Sequence, residues 1–318
     1  NNYIEARDVW GNNAVEIIGE NGTIENNNPN NNTNYTAIMN ITAGICCCSD
    51  GRNSSESGKL NTLFDTLHEM GIETVLSSCI YDDNDAFLKT ARIRAEALQA
   101  LYDDERISII FDISGGDLAN SILPFIDYGK IARSGKTFWG YSDLTALINA
   151  VYTKTGKSSV LYQVRNIINN EDKKRCTQLH DAVSGEDKCL FDFEYRFIRG
   201  LRMEGVLIGG NIRCFLKLAG TEYFPDTSGK IILLEANSGN KHRIAAYMSQ
   251  LEQMGVFSNA AGVLLGTFTE LDSVDTKLSA ELLKIFCRDI PIAKTHYIGH
   301  GADSKAARIG EYMVLAES

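Results

Sequence analysis

The sequence lacks the short patterns that identify the commonest metal and nucleotide sites. It contains no H-E-x-x-H segment and no paired Cys or His spacing typical of zinc, so a zinc peptidase is not expected. Neither G-x-G-x-x-G nor G-x-x-x-x-G-K-[ST] occurs, so no nucleotide-phosphate fingerprint is present. The sequence therefore predicts no metal and no cofactor in the functional site.

Long apolar runs and excess positive charge are also missing. No stretch approaches the roughly 20 apolar residues of a membrane helix, and no basic-then-apolar leader opens the chain. The net charge is −10, with 31 Lys and Arg against 41 Asp and Glu. These features disfavour a nucleic-acid polymer or an anionic membrane as partner. The eight cysteines, several within apolar runs, are expected to be buried thiols, so we expect a cytoplasmic protein.

The organisation of the chain predicts an α/β protein of two domains. With 318 residues it is long enough for two ordinary domains. We place a polar, Asn-rich arm at 1–35, a first α/β domain at 36–165, a connector at 166–200 and a second α/β domain at 201–318. Strand and helix patterns alternate in the first domain, which indicates a parallel sheet covered on both faces.

Hydrophobic periodicity gives the expected elements. The predicted strands are Tyr35–Cys48, Ile72–Leu76, Ile107–Phe111, Ser158–Tyr162, Val206–Ile208, Ile231–Leu234, Ala261–Phe268 and Ile292–Gly299. The predicted helices are Ser57–Met70, Ala86–Tyr102, 119–133 with a break near Pro124, Asp143–Thr155, His242–Met254 and Lys277–Arg288.

The segment from Thr137 to Leu147 predicts a strand, a tight turn at Gly140 and a helix, with Ser142 on the turn. This geometry lifts a serine hydroxyl clear of the sheet and points the backbone N–H of Asp143 at the same space. A serine needs a base and an orienting carboxylate to act as a nucleophile. Ser142 is thus a candidate nucleophile if the chain supplies both.

His300 is the better candidate for the base, because it stands between two glycines just after a strand. His296, four residues earlier, is the weaker candidate, and we interpret the remaining histidines, His68, His180 and His242, as structural or solvated. Glu235 ends the apolar strand Ile231–Leu234 and could orient the base, or could simply pair with an arginine. With Ser142 and His300 it would complete the chain order Ser, Glu, His.

Two Gly-Gly pairs precede polar residues. Gly115-Gly116 could form a tight turn for its own sake, or it could offer backbone N–H groups to an oxyanion. Gly209-Gly210 has the same two interpretations. Asp117 and Asn211, which follow the two pairs, are candidate substrate-binding residues.

The combined motifs resemble the LD-carboxypeptidase family of serine peptidases, which also contains the microcin C immunity hydrolases. The resemblance spans about residues 37 to 315. It is carried by Ser114-Gly115-Gly116-Asp117 through Leu123-Pro124-Phe125-Ile126-Asp127, Gly140-Tyr141-Ser142-Asp143-Leu144-Thr145, Gly205 to Asn211, Ala219-Gly220-Thr221, Leu233-Leu234-Glu235 and Gly299-His300-Gly301.

The resemblance implies Ser142 as nucleophile, His300 as base and Glu235 as its orienter. It implies an oxyanion hole from the N–H of Asp143 and from Gly115 or Gly116, in a site between two α/β domains of a homodimer. The expected activity is hydrolysis of a C-terminal amide in a cell-wall muropeptide. The alternatives are an immunity-type hydrolase of peptidyl or aminoacyl nucleotides and a non-hydrolytic binder of cell-wall fragments.

Two segments depart from the family pattern. Many members have a Pro-Ser turn where this chain reads Cys46-Cys47-Cys48-Ser49-Asp50-Gly51. Many also have a Gly-Pro where this chain reads Leu161-Tyr162-Gln163-Val164. The aromatic residues of the connector, Phe191, Phe193, Tyr195 and Phe197, could stack on a base, although spacing of two favours one buried face of a strand.

Overall fold

A computed structural model of the chain describes residues 4–7, 13–16, 41–81, 90–168, 174–186 and 188–317. The chain divides into two compact units, residues 1–38 and residues 39–318. In the first unit β1 (Ile4–Arg7) pairs antiparallel with β2 (Asn13–Glu16). The rest of the polar arm lies outside the described residues, as do the predicted strand positions 35–40 and the predicted helix positions 86–89.

The first sheet of the larger unit has the strand order β13-β7-β6-β5-β3-β4. Its strands are parallel except for β13, which pairs antiparallel with β7. The strands are β3 (Ile41–Cys46), β4 (Ile72–Leu76), β5 (Ile109–Asp112), β6 (Thr137–Gly140), β7 (Ser159–Leu161) and β13 (Ala307–Ile309). The helices that connect them are α1 (Ser57–Glu69), α2 (Thr90–Asp103), α3 (Tyr128–Arg133) and α4 (Thr145–Thr155).

Helix α1 illustrates why the sequence folds this way. Leu60, Leu63 and Leu67 recur at helical spacing and are buried against the sheet. The helix ends before Gly71, whose φ of 75° is a backbone conformation that glycine adopts without strain. The helix predicted over Ser57–Met70 is therefore confirmed.

The second sheet has the strand order β14-β9-β10-β11-β12-β8. Strands β9 to β12 are parallel, and antiparallel strands close both edges. The strands are β8 (Arg196–Arg199), β9 (Arg202–Asn211), β10 (Ile231–Ala236), β11 (Gly262–Phe268), β12 (Ile292–Lys294) and β14 (Tyr312–Ala316). Helix α5 (Lys174–Ser184) packs through Leu179 in the core of the first sheet. The helices of the second sheet's region are α6 (Ile212–Leu216), α7 (Lys241–Gln253), α8 (Thr269–Asp272) and α9 (Leu278–Phe286).

The expected α/β architecture with two largely parallel sheets is confirmed, and two details were not expected. Strand β13 belongs to the C-terminal part of the chain but joins the first sheet beside β7. The range 166–200, predicted as a connector ending in a strand, also contains helix α5, which was not expected; the strand at its end is β8, at the edge of the second sheet. No helix within the described ranges is long and apolar enough to cross a membrane.

Candidate active site

Ser142 lies at the sharp turn between β6 and α4. Its φ of 54° is the one positive value found for a non-glycine residue in the described chain, and such strain is typical of functional turns. The prediction that the turn falls at Gly140 is wrong, because Gly140 is the last residue of β6. Glycine is required there by packing: a Cβ atom on Gly140 would lie 2.8 Å from Cβ of Leu144.

Three residues separated in sequence are joined by hydrogen bonds at this turn. Ser142 Oγ lies 3.1 Å from His300 Nε2, and His300 Nδ1 lies 2.8 Å from Glu235 Oε2. Ser142 follows a strand of the first sheet, whereas Glu235 is in β10 of the second sheet and His300 follows β12. Both distances are within hydrogen-bond range, so a proton can pass from the serine to the imidazole.

Glu235 is completely buried, and its second carboxylate oxygen, Oε1, has no hydrogen-bond partner. The hydroxyl of Tyr141 is buried and unpartnered in the same way. Burial, followed by the charge of Glu235, raises the pKa of Tyr141 well above its ordinary value. The phenol therefore remains a neutral O–H donor beside the carboxylate.

Tyr141 is a site residue that the sequence analysis did not single out. Its ring packs edge-on against the imidazole of His300, with the ring centroids 4.8 Å apart. It therefore contacts the candidate base directly and lies next to the orienting carboxylate. Its position in the sequence could have indicated this role. Tyr141 directly follows β6 and immediately precedes Ser142, so both residues lie at the same edge of the sheet.

The backbone around Asp143 leaves N–H groups for a ligand. Within the 3-10 turn Ser142–Leu144, the N–H of Leu144 donates to the carbonyl of Tyr141 at 3.0 Å. Asp143 precedes this first intrahelical bond, so its own N–H has no partner within the turn. The Asp143 carboxylate faces the protein interior, where it accepts hydrogen bonds from Ser49 Oγ at 2.7 Å and from the Ala119 N–H at 2.9 Å.

The two glycines of the Gly115-Gly116 turn have different surroundings. Gly116 has a φ of 123°, and a Cβ atom there would lie 2.1 Å from Asp50 Oδ2, so that position faces protein. A Cβ atom on Gly115 would meet nothing within 4 Å. Gly115 therefore faces open space and lines the cavity beside Ser142.

Ser142 lies between two cavities. The first, of about 250 Å³, also contains His300 and is lined by Ser114, Gly115, Tyr141, Ser142, Gln163, Arg165, Asn166, Asn237, Gly299 and His300. The second, of about 220 Å³, is lined by Gly116, Asp117, Ser142, Asn211, Arg213, Asn237 and Ser238. A substrate that spans Ser142 would place one portion in each cavity.

Asp117 and Asn211, predicted to bind substrate, both line the second cavity. Asp117 is largely exposed and forms an ion pair with Arg213. The side chain of Asn211 caps α6 by accepting a hydrogen bond from the Cys214 N–H at 3.3 Å. Asn211 thus has a structural role in addition to its place in the cavity.

The other histidines lie away from this cluster. His296 is exposed and does not line either cavity. His68 forms an exposed pair with Glu73 at 3.0 Å, and His242 is exposed in the first turn of α7.

Two groups of side chains in the described ranges have the composition of metal ligands. One comprises Cys46, Cys48 and Asp112, all buried; the other comprises His180, Asp181 and Glu186. None of these residues lines either cavity at Ser142. Neither group therefore belongs to the two cavities at Ser142.

Comparison with known proteins places most of the chain in two family domains. Residues 43–163 match the LD-carboxypeptidase N-terminal domain, and residues 204–315 match the LD-carboxypeptidase C-terminal domain. Together these ranges cover well over half of the 318 residues.

Individual relatives agree with the family match. The chain is 27% identical over 271 residues to the putative carboxypeptidase YocD of Bacillus subtilis, covering 77% of this chain and 83% of the relative. It is 26% identical to a probable murein peptide carboxypeptidase of the same organism, covering 79% of this chain and 82% of the relative. A solved MccF-like protein from Bacillus anthracis has the same fold, with a TM-score of 0.76, 22% identity and coverage of 87% of this chain and 94% of the other.

Proposed function

This chain belongs to the LD-carboxypeptidase family, and on that premise we propose that it is a serine carboxypeptidase that releases the C-terminal residue of a cell-wall muropeptide. The observation that carries the proposal is the hydrogen-bonded series Ser142, His300, Glu235, which lies between two cavities. A non-hydrolytic binder would have no need of this series, so we disfavour that alternative.

The proposed reaction begins with Ser142. His300 Nε2 accepts the serine proton while Oγ attacks the carbonyl carbon, and Glu235 holds Nδ1–H so that Nε2 remains the acceptor. We assign the oxyanion hole to the backbone N–H groups of Asp143 and Gly115. Gly115 is favoured over Gly116 because it lines the cavity that contains His300, whereas Gly116 faces the carboxylate of Asp50.

The collapse of the tetrahedral intermediate expels an amine. His300 returns its proton to that amine, which leaves as the free terminal residue, and an acyl-enzyme remains on Ser142. Water then enters the vacated cavity, and its oxygen attacks the acyl carbon while His300 Nε2 takes its proton. When this second tetrahedral intermediate collapses, the ester bond to Ser142 breaks, His300 returns the proton to Ser142 Oγ, and the shortened peptide leaves with a free carboxylate. These reaction steps account for every bond and every proton through Ser142, His300 and water.

The lining of the cavities favours a peptide over a nucleotide. Drug-sized ligands occupy pockets of about 300 to 1,000 Å³, and the cavity that contains His300 measures about 250 Å³. Tyr141 is the aromatic residue that lines it, among those the structure describes, and its ring is packed on His300. A single released amino acid suits this cavity better than a nucleoside.

The aromatic residues that could have stacked on a nucleobase are used elsewhere. Phe193, Tyr195 and Phe197 pack against a hydrophobic core, and the guanidinium of Arg308 covers the ring of Phe191 at 3.8 Å. Trp139 is buried against the Phe111, Tyr162 and Phe191 rings. The immunity-type activity on peptidyl nucleotides therefore remains the second candidate, supported by the resemblance and by the MccF-like fold.

Parallel hydrolysis assays test the choice of substrate. We expect release of D-alanine from a muropeptide tetrapeptide, and slower or no cleavage of an aminoacyl sulfamoyl adenylate. The reverse preference would contradict the proposal and favour the immunity-type function. A homodimer, also proposed from the resemblance, is tested by light scattering of the purified protein.

A further inference from the structure

Arg165 introduces a positive charge into the cavity that contains His300. It lies in a 3-10 turn, Val164–Ile168, that directly follows β7. Its Nε donates a hydrogen bond to the side-chain oxygen of Gln163 at 3.2 Å. This contact fixes one edge of the guanidinium, and the two terminal nitrogens have no partner among the described residues.

This charge is not neutralised by the protein around it. A partly buried cation is costly unless an anion pairs with it, and no described carboxylate forms an ion pair with Arg165. Glu56 is already bound to Arg52 at 2.6 Å. Burial, followed by the charge of Arg52, lowers the pKa of Arg165, which is the direction expected of a cation that lacks an anionic partner.

The position of His300 identifies which part of a substrate meets Arg165. The base must protonate the departing amine, so the leaving group occupies the cavity that contains His300. Arg165 lines that cavity and does not line the second one. In a carboxypeptidase the leaving group is a single amino acid, and its one constant feature is a free α-carboxylate.

We propose that Arg165 binds the C-terminal carboxylate of the substrate and so restricts cleavage to the terminal residue. The inference rests on the function proposed above. A guanidinium can hold a carboxylate through two parallel hydrogen bonds, and the contact with Gln163 leaves the terminal nitrogens available for this. A longer peptide, with an amide in place of the carboxylate, would leave Arg165 unpaired and lose binding energy.

The test compares two substrates on the intact enzyme. One is a muropeptide tetrapeptide that ends in D-alanine, and the other is the same peptide ending in D-alaninamide. The wild-type enzyme should prefer the acid by about 100-fold in kcat/KM, since leaving a desolvated charge unpaired carries a penalty of this order. R165Q should lower kcat/KM for the acid by about 100-fold and change the value for the amide by less than about threefold.

Two further variants control the comparison. R165K keeps the charge but not the two-pronged geometry, so it should retain an intermediate preference for the acid. R133Q makes the same substitution at an exposed position of α3 that lines neither cavity, and it should match the wild type on both substrates.

The outcomes separate this inference from the proposed function. No hydrolysis of either peptide by the wild type would contradict the proposed function, and the inference with it. Hydrolysis of both peptides at similar rates, or an equal loss on both peptides in R165Q, would overturn the assignment of Arg165 alone. Selective loss on the acid supports both.

Discussion

Lys217 donates a hydrogen bond to the carboxylate of Asp143, and this ion pair joins the end of α6 to the 3-10 turn that precedes α4. The Asp143 side chain is completely buried, and the Lys217 side chain is 16% exposed. Because Asp143 also supplies a proposed oxyanion N–H, its side chain positions the backbone that would stabilise the transition state. The contact therefore connects a helix that follows β9 of the second sheet with the turn that contains Ser142.

Substitution of Lys217 tests this positioning role. K217M should lower the free energy of unfolding by about 3 kcal/mol, because it leaves a buried carboxylate without its cation, and it should lower kcat more than it raises KM. K217M/D143N should recover part of that stability, as the unpaired charge is then gone. Chemical denaturation of the wild type and of both single and double variants gives the coupling. Additive effects would contradict the proposed role of the ion pair.

The carboxylate of Glu235 is tested by its amide. E235Q should lower kcat by about 10³- to 10⁴-fold with the fold intact, because the amide does not stabilise the imidazolium or select its tautomer. E252Q, an exposed position on α7, is the matched control. A kcat for folded E235Q close to that of the wild type would show that the carboxylate does not act on His300.

The ring and the hydroxyl of Tyr141 should have separate effects. Y141F removes the buried O–H that lies beside the Glu235 carboxylate, so it should lower the free energy of unfolding by about 1 kcal/mol and leave kcat within a few fold. Y141L removes the ring that packs on His300 and should lower kcat at least tenfold. Thermal unfolding and steady-state assays distinguish them. A large loss of kcat in Y141F would instead assign a catalytic role to the hydroxyl.

The three consecutive cysteines should be unreactive in the folded protein. For Cys48 the hydrogen bond with Cys46 lowers the pKa, but burial and Asp112 outweigh it and raise the value to about 11. Burial also raises the pKa of Cys46 and Cys47 well above the usual range. Because the thiolate is the reactive form, iodoacetamide at pH 8 should modify Cys79 before these thiols. Peptide mapping that finds early modification at 46–48 would contradict this burial.

The sequence predicts the strands and helices whose hydrophobic residues recur at a regular local spacing. Strand Ile72–Leu76 has the predicted bounds, and the apolar stripe of α1 is buried as expected. The meeting of Ser142, Glu235 and His300 follows a general rule, because each was placed at or just after the end of a predicted strand, where α/β sheets carry their sites.

Features that depend on contacts between distant parts of the chain leave no periodic pattern in the sequence. Strand β13 is three residues long, too short for a periodic pattern, and its pairing with β7 spans more than 140 positions. Lys217 and Asp143 are 74 positions apart, and either would ordinarily be interpreted as a solvated charge. Arg165 follows β7 at the same edge of the sheet, but only the cavity reveals that its charge lies beside His300.

The most direct test of the account is the rate of D-alanine release from a muropeptide tetrapeptide by the wild type and by S142A. The hydroxyl of Ser142 contributes little to the core, so S142A should fold normally and bind the uncleaved peptide with a similar Kd. The account predicts that kcat falls by at least about 10³-fold, as expected for the loss of one member of a nucleophile–base–carboxylate series. Release of D-alanine by folded S142A at close to the wild-type rate would contradict the serine mechanism.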